Sequence, residues 1–210
     1  MTKKIHVATN VKDAHLIETR RQQIITSAVQ LFREKGFHRT TTREIAALAG
    51  FSIGTLYEYI RSKEDVLYLV CDSIFNEVVE TIADFPEGIN ALDTLKQAIN
   101  LYYRLIDTMH EEFTIMYQET KSLPKPKMQY ILSKELEMVA IFEELLKNCR
   151  SEQQSTLTDE VIYIAAHQIV VQGQSWAFRK WALSKRFTID QYIEYETKLL
   201  LDGILTSFEN

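Results

Sequence analysis

At 210 residues, with 46% apolar and 25% charged residues, the chain is long enough to bury a sizeable core and ordinary in composition for a soluble globular protein. Three prolines and six glycines are too few for a strand-and-turn architecture. The net charge of -5 argues against nucleic acid only until its distribution is seen: residues 1–63 carry 11 Lys/Arg against 5 Asp/Glu, leaving 13 against 24 for the rest, so a basic head precedes an acidic body.

Cys71 and Cys149 stand alone in helical patterns, which points to buried thiols in a reducing compartment and away from a zinc module or a disulfide framework. No apolar run reaches the roughly 18 residues of a membrane span, and no apolar core follows Lys3 and Lys4 as in a signal peptide. A cytoplasmic protein without membrane contact is expected.

Residues 1–16 are polar and aperiodic, a flexible arm that is either a frayed terminus or, through Lys3, Lys4 and Lys12, a reach toward DNA. From Ile17 the period changes. Ile24, Ala28, Leu31 and Phe32 share one helical face, Ile25 and Val29 widen it, and Gly36 ends the helix after Lys35. The stretch 41–63 follows. Thr41 is placed to cap a short helix and Glu44 to close a capping box, after which Ile45, Leu48 and Ala49 repeat at helical spacing. Gly50 can take the positive φ that stops a helix, and Ser52 caps the next, which sets Leu56 and Ile60 on one face. Two helices joined by a turn of about four residues can lay the second in a DNA major groove. The same pattern describes an ordinary surface hairpin, and periodicity alone leaves both open. Tyr57 and Tyr59, two apart on one helix, cannot both point inward, so at least one faces out.

Ser62, with Asp65 at its third position, caps a long helix whose stripe is Leu67, Val70, Ile74, Val78 and Ile82. It runs to Asp84, where Phe85-Pro86-Glu87-Gly88 breaks it, and it is expected to transmit movement from body to head. Residues 89–110 give Leu92, Leu95, Ile99, Tyr102 or Tyr103, and Ile106; residues 111–121 form a short helical segment. The Leu123-Pro124-Lys125-Pro126 connector bars helix before its first proline and restarts one at its second. Residues 128–148 repeat Ile131, Leu132, Leu136, Val139, Phe142, Leu145 and Leu146. After a polar loop at 151–156, Thr158 caps a helix to about Trp181, and a Thr188/Gln191 box starts the last, ending near Phe208. No stretch sustains the period of two that a sheet needs. The fold expected is all-α, with about nine helices.

His110 and His167 each lack a second histidine at metal-ligand spacing, and no nucleophile–base set is visible. Neither an enzyme nor a cofactor or metal is expected. Large side chains concentrate at Tyr102, Tyr103, Met109, Phe113, Met116 and Tyr117, with Phe142 and Trp176 able to face them. A packed core and a ligand cavity explain that set equally well.

The run AVQLFREKGFHRTTTREIAALAGFSIGTLYEYIRSKEDVL (residues 28–67) resembles the N-terminal domain of the TetR/AcrR family of transcriptional repressors. The marks are Gly-Phe after the first helix, paired threonines before the second, Ile-Ala then Ala-Gly, and Gly-Thr-Leu-Tyr-x-Tyr followed by Lys-Glu. The resemblance implies a three-helix helix-turn-helix DNA-binding domain (17–65) and a larger helical effector-binding and dimerisation domain (66–210). It implies a homodimer on a palindromic, inverted-repeat duplex operator, released by a small molecule.

Carried over residue by residue, Thr42, Tyr57, Tyr59 and Lys63 resemble positions that touch phosphate, and Arg43, Ser52, Ile53, Gly54 and Thr55 those near base edges. Ile53 departs from the lysine or other polar residue of many relatives. A short or apolar side chain there admits close approach to thymine methyls. The family's effector pocket would fall on Tyr102, Met109, Phe113, Met116, Tyr117, Phe142 and Trp176, and its dimer face on His167, Val171, Gln172, Tyr192, Tyr195 and Leu199. The expected effector is small and largely apolar with one polar end, a fatty acid or its coenzyme A thioester. The competing reading is a helical dimeric scaffold or adaptor that binds another protein through the 41–63 hairpin.

Overall fold

The computed structural model describes residues 4–83, 90–153 and 157–206, and all regular structure among them is helical. The order is α1 (Ala14–Lys35), α2 (Thr42–Leu48), α3 (Ile53–Tyr59), α4 (Lys63–Ala83), α5 (Ala91–Thr108), α6 (His110–Glu119), a single 3-10 turn (Thr120–Ser122), α7 (Lys125–Gln153), α8 (Asp159–Leu183) and α9 (Ile189–Thr206). Nine α-helices among the described residues match the all-α reading. The Phe85-Pro86-Glu87-Gly88 break, the core role of Ile82, the end of the loop at 154–156 and the terminus near Phe208 lie outside the described residues.

The helices form two compact units. One holds the chain up to Phe75 with Glu111–Ser133, the other Asn76–His110 and the chain from Lys134 on. Both α4 and α7 contribute to each.

In the first unit α1, α2 and α3 pack on one another over Ile24, Ala28, Phe32, Ile45, Leu56 and Ile60. Helix α1 starts at Ala14, earlier than the change of period at Ile17, because Asp13 caps it by accepting from Leu16 N at 3.0 Å. Ala14, His15 and Leu16 of the first turn are all exposed, so capping, not burial of an apolar face, sets that boundary. The segment before it is held, where a free arm was expected. Val7 is buried, Arg21 donates to Val7 O at 2.6 Å, Thr9 Oγ1 and Asn10 N both donate to Glu58 O, and Lys4 pairs with Asp72 at 2.7 Å.

In the second unit α5, α8 and α9 pack together. At Gly173 of α8 the side chains of α5 come close: an added Cβ would stand 2.8 Å from both Ile106 and Tyr103. Tyr103 donates its hydroxyl to Ile169 O, and Trp176 packs on Tyr192 at 4.9 Å between ring centres. Helix α9 begins with the expected reciprocal box, Thr188 N to Gln191 Oε1 at 3.0 Å and Gln191 N to Thr188 Oγ1 at 3.2 Å. Helix α7 is longer than expected and carries a correction. Ile131, Val139, Phe142 and Leu146 are buried, but Leu132 and Leu136 are exposed, since so wide an apolar face on one helix cannot all turn inward.

Candidate nucleic-acid interface

Helix α2 starts from the full capping box. Thr41 Oγ1 accepts from Glu44 N at 3.3 Å, and Glu44 Oε2 accepts from Thr41 N at 2.9 Å. Bonds from Lys35 and Thr41 hold the Glu44 carboxyl down to about 2. Gly50, at φ 76°, turns the chain, and Phe51 N closes on Ala46 O at 2.8 Å. Ser52 then caps α3, accepting from Thr55 N at 3.0 Å with its hydroxyl 2.9 Å from that of Thr55. The cap, the glycine and the second cap fix how the two short helices meet.

Ile45, Ala46, Leu56 and Ile60 anchor the pair to α1. What stays outward is Arg43, Ser52, Ile53, Gly54 and Tyr57, with Thr42 and Thr55 half-buried at the edge. Thr42 and Tyr57 are brought together, hydroxyl to hydroxyl at 3.1 Å across the two helices. This places on one surface seven of the nine residues expected to face DNA. Gly54 has an ordinary helical φ, and an added Cβ would meet only Ser52 Oγ at 3.6 Å, so the protein's own packing does not ask for glycine there.

Two assignments are corrected. Tyr59 is buried, because it shares the inward face of α3 with Leu56, three residues before it, so Tyr57 is the outward tyrosine. Lys63 does not present its ammonium to the surface. Nζ donates to Phe37 O, His38 O and Thr40 O at 2.8, 3.2 and 2.9 Å and lies 4.4 Å from the Phe37 ring centre, which uses all three donors.

The expected pocket residues divide between the units. Tyr102, Met109, Phe142 and Trp176 belong to the second, where Tyr102 and Phe142 pack ring to ring at 5.4 Å. Phe113, Met116 and Tyr117 belong to the first. Phe113 and Met116 are core there, but Tyr117 is 70% exposed and walls no buried pocket. Trp176 Nε1 donates to Asp107 Oδ1 at 2.8 Å, which Lys180 also meets at 2.7 Å. Burial raises the Asp107 carboxyl, but those two bonds outweigh it and leave it below its usual range. Near Tyr102, Gln174 donates to Glu135 at 3.0 Å, and burial pushes the Glu135 carboxyl above its usual range.

Of the expected dimer residues, Val171, Gln172, Tyr195 and Leu199 are exposed, and Tyr163 and Ile164 join them. His167 is half-buried and stacks edge-on against Tyr163 at 4.6 Å. A groove of about 380 Å³ runs along this face of α8. Tyr192 is the correction. It is buried within the protomer, donates to Gln172 O at 2.6 Å, and burial pushes its hydroxyl up to about 12.

Among the described residues no group of three or more His, Cys, Asp or Glu side chains could hold a metal, and no helix is long and apolar enough to cross a membrane.

Comparison with known proteins fits this geometry. Residues 24–68 match the family model described as bacterial regulatory proteins, tetR family. The HTH-type transcriptional regulator HbdR of Aromatoleum sp. (strain CIB) is 30% identical over 202 residues, covering 96% of this chain and 87% of the relative. A regulatory protein in the tetR family from Rhodococcus RHA1 superposes with a TM-score of 0.78 at 22% identity, covering 88% of this chain and 96% of the other. AibR, solved in complex with isovaleryl coenzyme A and operator DNA, superposes with a TM-score of 0.72 at 20% identity, covering 86% and 97%.

Proposed function

The chain belongs to the TetR family of bacterial transcriptional regulators, and from that premise we propose that it is a repressor that binds an inverted-repeat operator as a homodimer and is released by a small acyl compound. The observation that carries the DNA reading is the outward surface of α2 and α3. It gathers hydroxyls, one arginine and an apolar Ile53 on the head that holds the chain's basic excess. Hydroxyls and arginine suit phosphate oxygens, and the first turn of α3 suits base edges. Tyr57 and Thr42 act as one phosphate-binding pair, and Arg43, Ser52, Ile53, Gly54 and Thr55 lie against the groove.

The exposed apolar face of α8 and α9, with Val171 and Leu199 more than half exposed, supports the homodimer. Two heads in such a dimer must sit about 34 Å apart, one helical turn of DNA, or a multiple of it, so an effector need only favour a mis-spaced state. The likeness to AibR, solved with isovaleryl coenzyme A, supports an acyl-coenzyme A as the effector. The protein acts where the chromosome is, in the cytoplasm.

Selection of bound duplexes from random DNA tests the reading. Enriched sites with two-fold symmetry are expected, and sites without it would overturn the dimer–operator account. Titrating isovaleryl and longer acyl-coenzyme A thioesters with and without the selected operator tests the effector. Linkage demands that operator weaken effector binding by the same factor that effector weakens operator binding. A dissociation constant equal in both conditions means the ligand is no inducer.

A further inference from the structure

The first turn of α4 grips both ends of the α2–α3 pair. Lys63 donates to three carbonyls in the chain that leads into α2. Two residues on, Asp65 Oδ2 accepts from Arg61 N at 2.7 Å and Ser62 N at 3.1 Å, the turn by which the chain leaves α3. The other oxygen of Asp65 is taken by Lys127 Nζ of α7. That ion pair is buried, its side chains 14% and 10% exposed.

A second fastening lies along the same two helices. Lys127 Nζ sits 5.5 Å from the Tyr68 ring centre, and Tyr68 packs on Tyr130 at 5.7 Å. Tyr130 donates to Asp72 Oδ1 at 3.1 Å, and Lys4 holds the other oxygen of Asp72. A buried ion pair adds little net stability, because desolvation offsets its attraction; its best-attested use is to fix one arrangement among several. Here the arrangement fixed is the distance between α7 and the turn that ends α3.

We propose that Lys127 is a positioning residue for operator recognition. Through Asp65 it holds the α3–α4 turn, and with it the outward face of α3, in one setting. Displacement of α7 is then the movement that releases DNA. This rests on the DNA-binding reading above and adds to it a specific route. Sequence periodicity points to α4 as the transmitting helix, whereas the ion pair makes α7 the holder and α4 the part that is held.

The test compares full-length variants on the selected operator and on a random duplex of equal length. Lys127→Met keeps the apolar stem beside Tyr68 but takes the lysine partner from Asp65 Oδ1. Lys127→Arg keeps the pair. The double variant Asp65→Asn with Lys127→Met leaves no orphan charge, does not alter net charge, and keeps an amide oxygen for Arg61 N and Ser62 N. Lys127→Met and the double variant are expected to lose roughly tenfold in operator affinity while random DNA changes by less than about twofold, with Lys127→Arg recovering most of the loss. A folded double variant with the wild-type ratio of operator to random affinity overturns the proposal. A double variant that does not fold makes the pair a stability element and overturns it equally. A wild-type protein with no operator preference is a different failure, that of the DNA-binding reading itself.

Discussion

The first unit uses polar side chains to hold backbone in place; the second uses aromatic ones to fill volume. Around α2 and α3 the helix caps are local. Thr41 with Glu44, Ser52 with Thr55, and Ser62 with Asp65 join residues three apart, and each sets one helix end. In the second unit Tyr103, Phe142, Trp176 and Tyr192 are all interior, and each is placed by partners far along the chain. The difference teaches where a side chain's role comes from. For the caps of the head it follows from neighbours in sequence, and for the aromatic side chains of the body, as for Lys63 and Lys127, from neighbours that only folding supplies.

The largest expected effect breaks the body's outer face. Val171→Glu with Leu199→Glu puts charges on the exposed apolar surface of α8 and α9 and is expected to weaken the dimer by at least about 2 kcal/mol, roughly thirtyfold. Sedimentation velocity checks it, and an unchanged dimer would move the interface elsewhere. Next comes the body's interior. Helix propensity alone would make Gly173→Ala stabilising by about 1 kcal/mol. The 2.8 Å approach to Ile106 and Tyr103 reverses the sign. Overpacking of this kind is expected to cost about 1–3 kcal/mol in urea unfolding. A stabilised variant would mean that the approach of α5 and α8 is looser than described.

Smaller effects sharpen the head. Ile53→Ala removes an exposed apolar side chain from the first turn of α3. It is expected to cost about 1 kcal/mol on operators that keep their thymine methyls, and little where deoxyuridine replaces the contacted thymine. Equal losses on both duplexes would remove the methyl-reading role. The smallest effect is a titration. The Glu44 carboxyl falls from its ordinary 4.5 to about 2 in the fold, so its contribution to the capping box is complete above about pH 4.5 and lost as pH drops through about 2. Side-chain carboxyl shifts in NMR are expected to show that low midpoint, and a midpoint near 4.5 would show the box open.

Where these roles are local, the sequence makes them legible. The caps of α2, α3, α4 and α9 follow from spacing alone, and spacing also requires that one of Tyr57 and Tyr59 face out. The burial of Tyr59 is not legible in spacing because one short helix offers two tyrosines, and only the register with buried Leu56 decides which turns in. The role of Lys63 is hidden from the sequence because its three carbonyl partners lie 23 to 26 residues upstream, where no pattern signals them. That of Lys127 is hidden for the same reason, Asp65 being 62 residues away. In the body, periodicity identified apolar stripes but not which residues stay outside. Leu132 and Leu136 look like core and are exposed, while Tyr192, expected on the dimer face, is buried within the protomer.

The central claim is that the α2–α3 surface binds the phosphate backbone of duplex DNA. Its most direct test is operator affinity across a range of salt concentration. Contact through phosphates predicts that the logarithm of the binding constant falls linearly with the logarithm of salt, with a slope of roughly -0.9 for each phosphate neutralised. Binding that barely changes with salt would contradict the account and leave the same surface as a docking face for another protein.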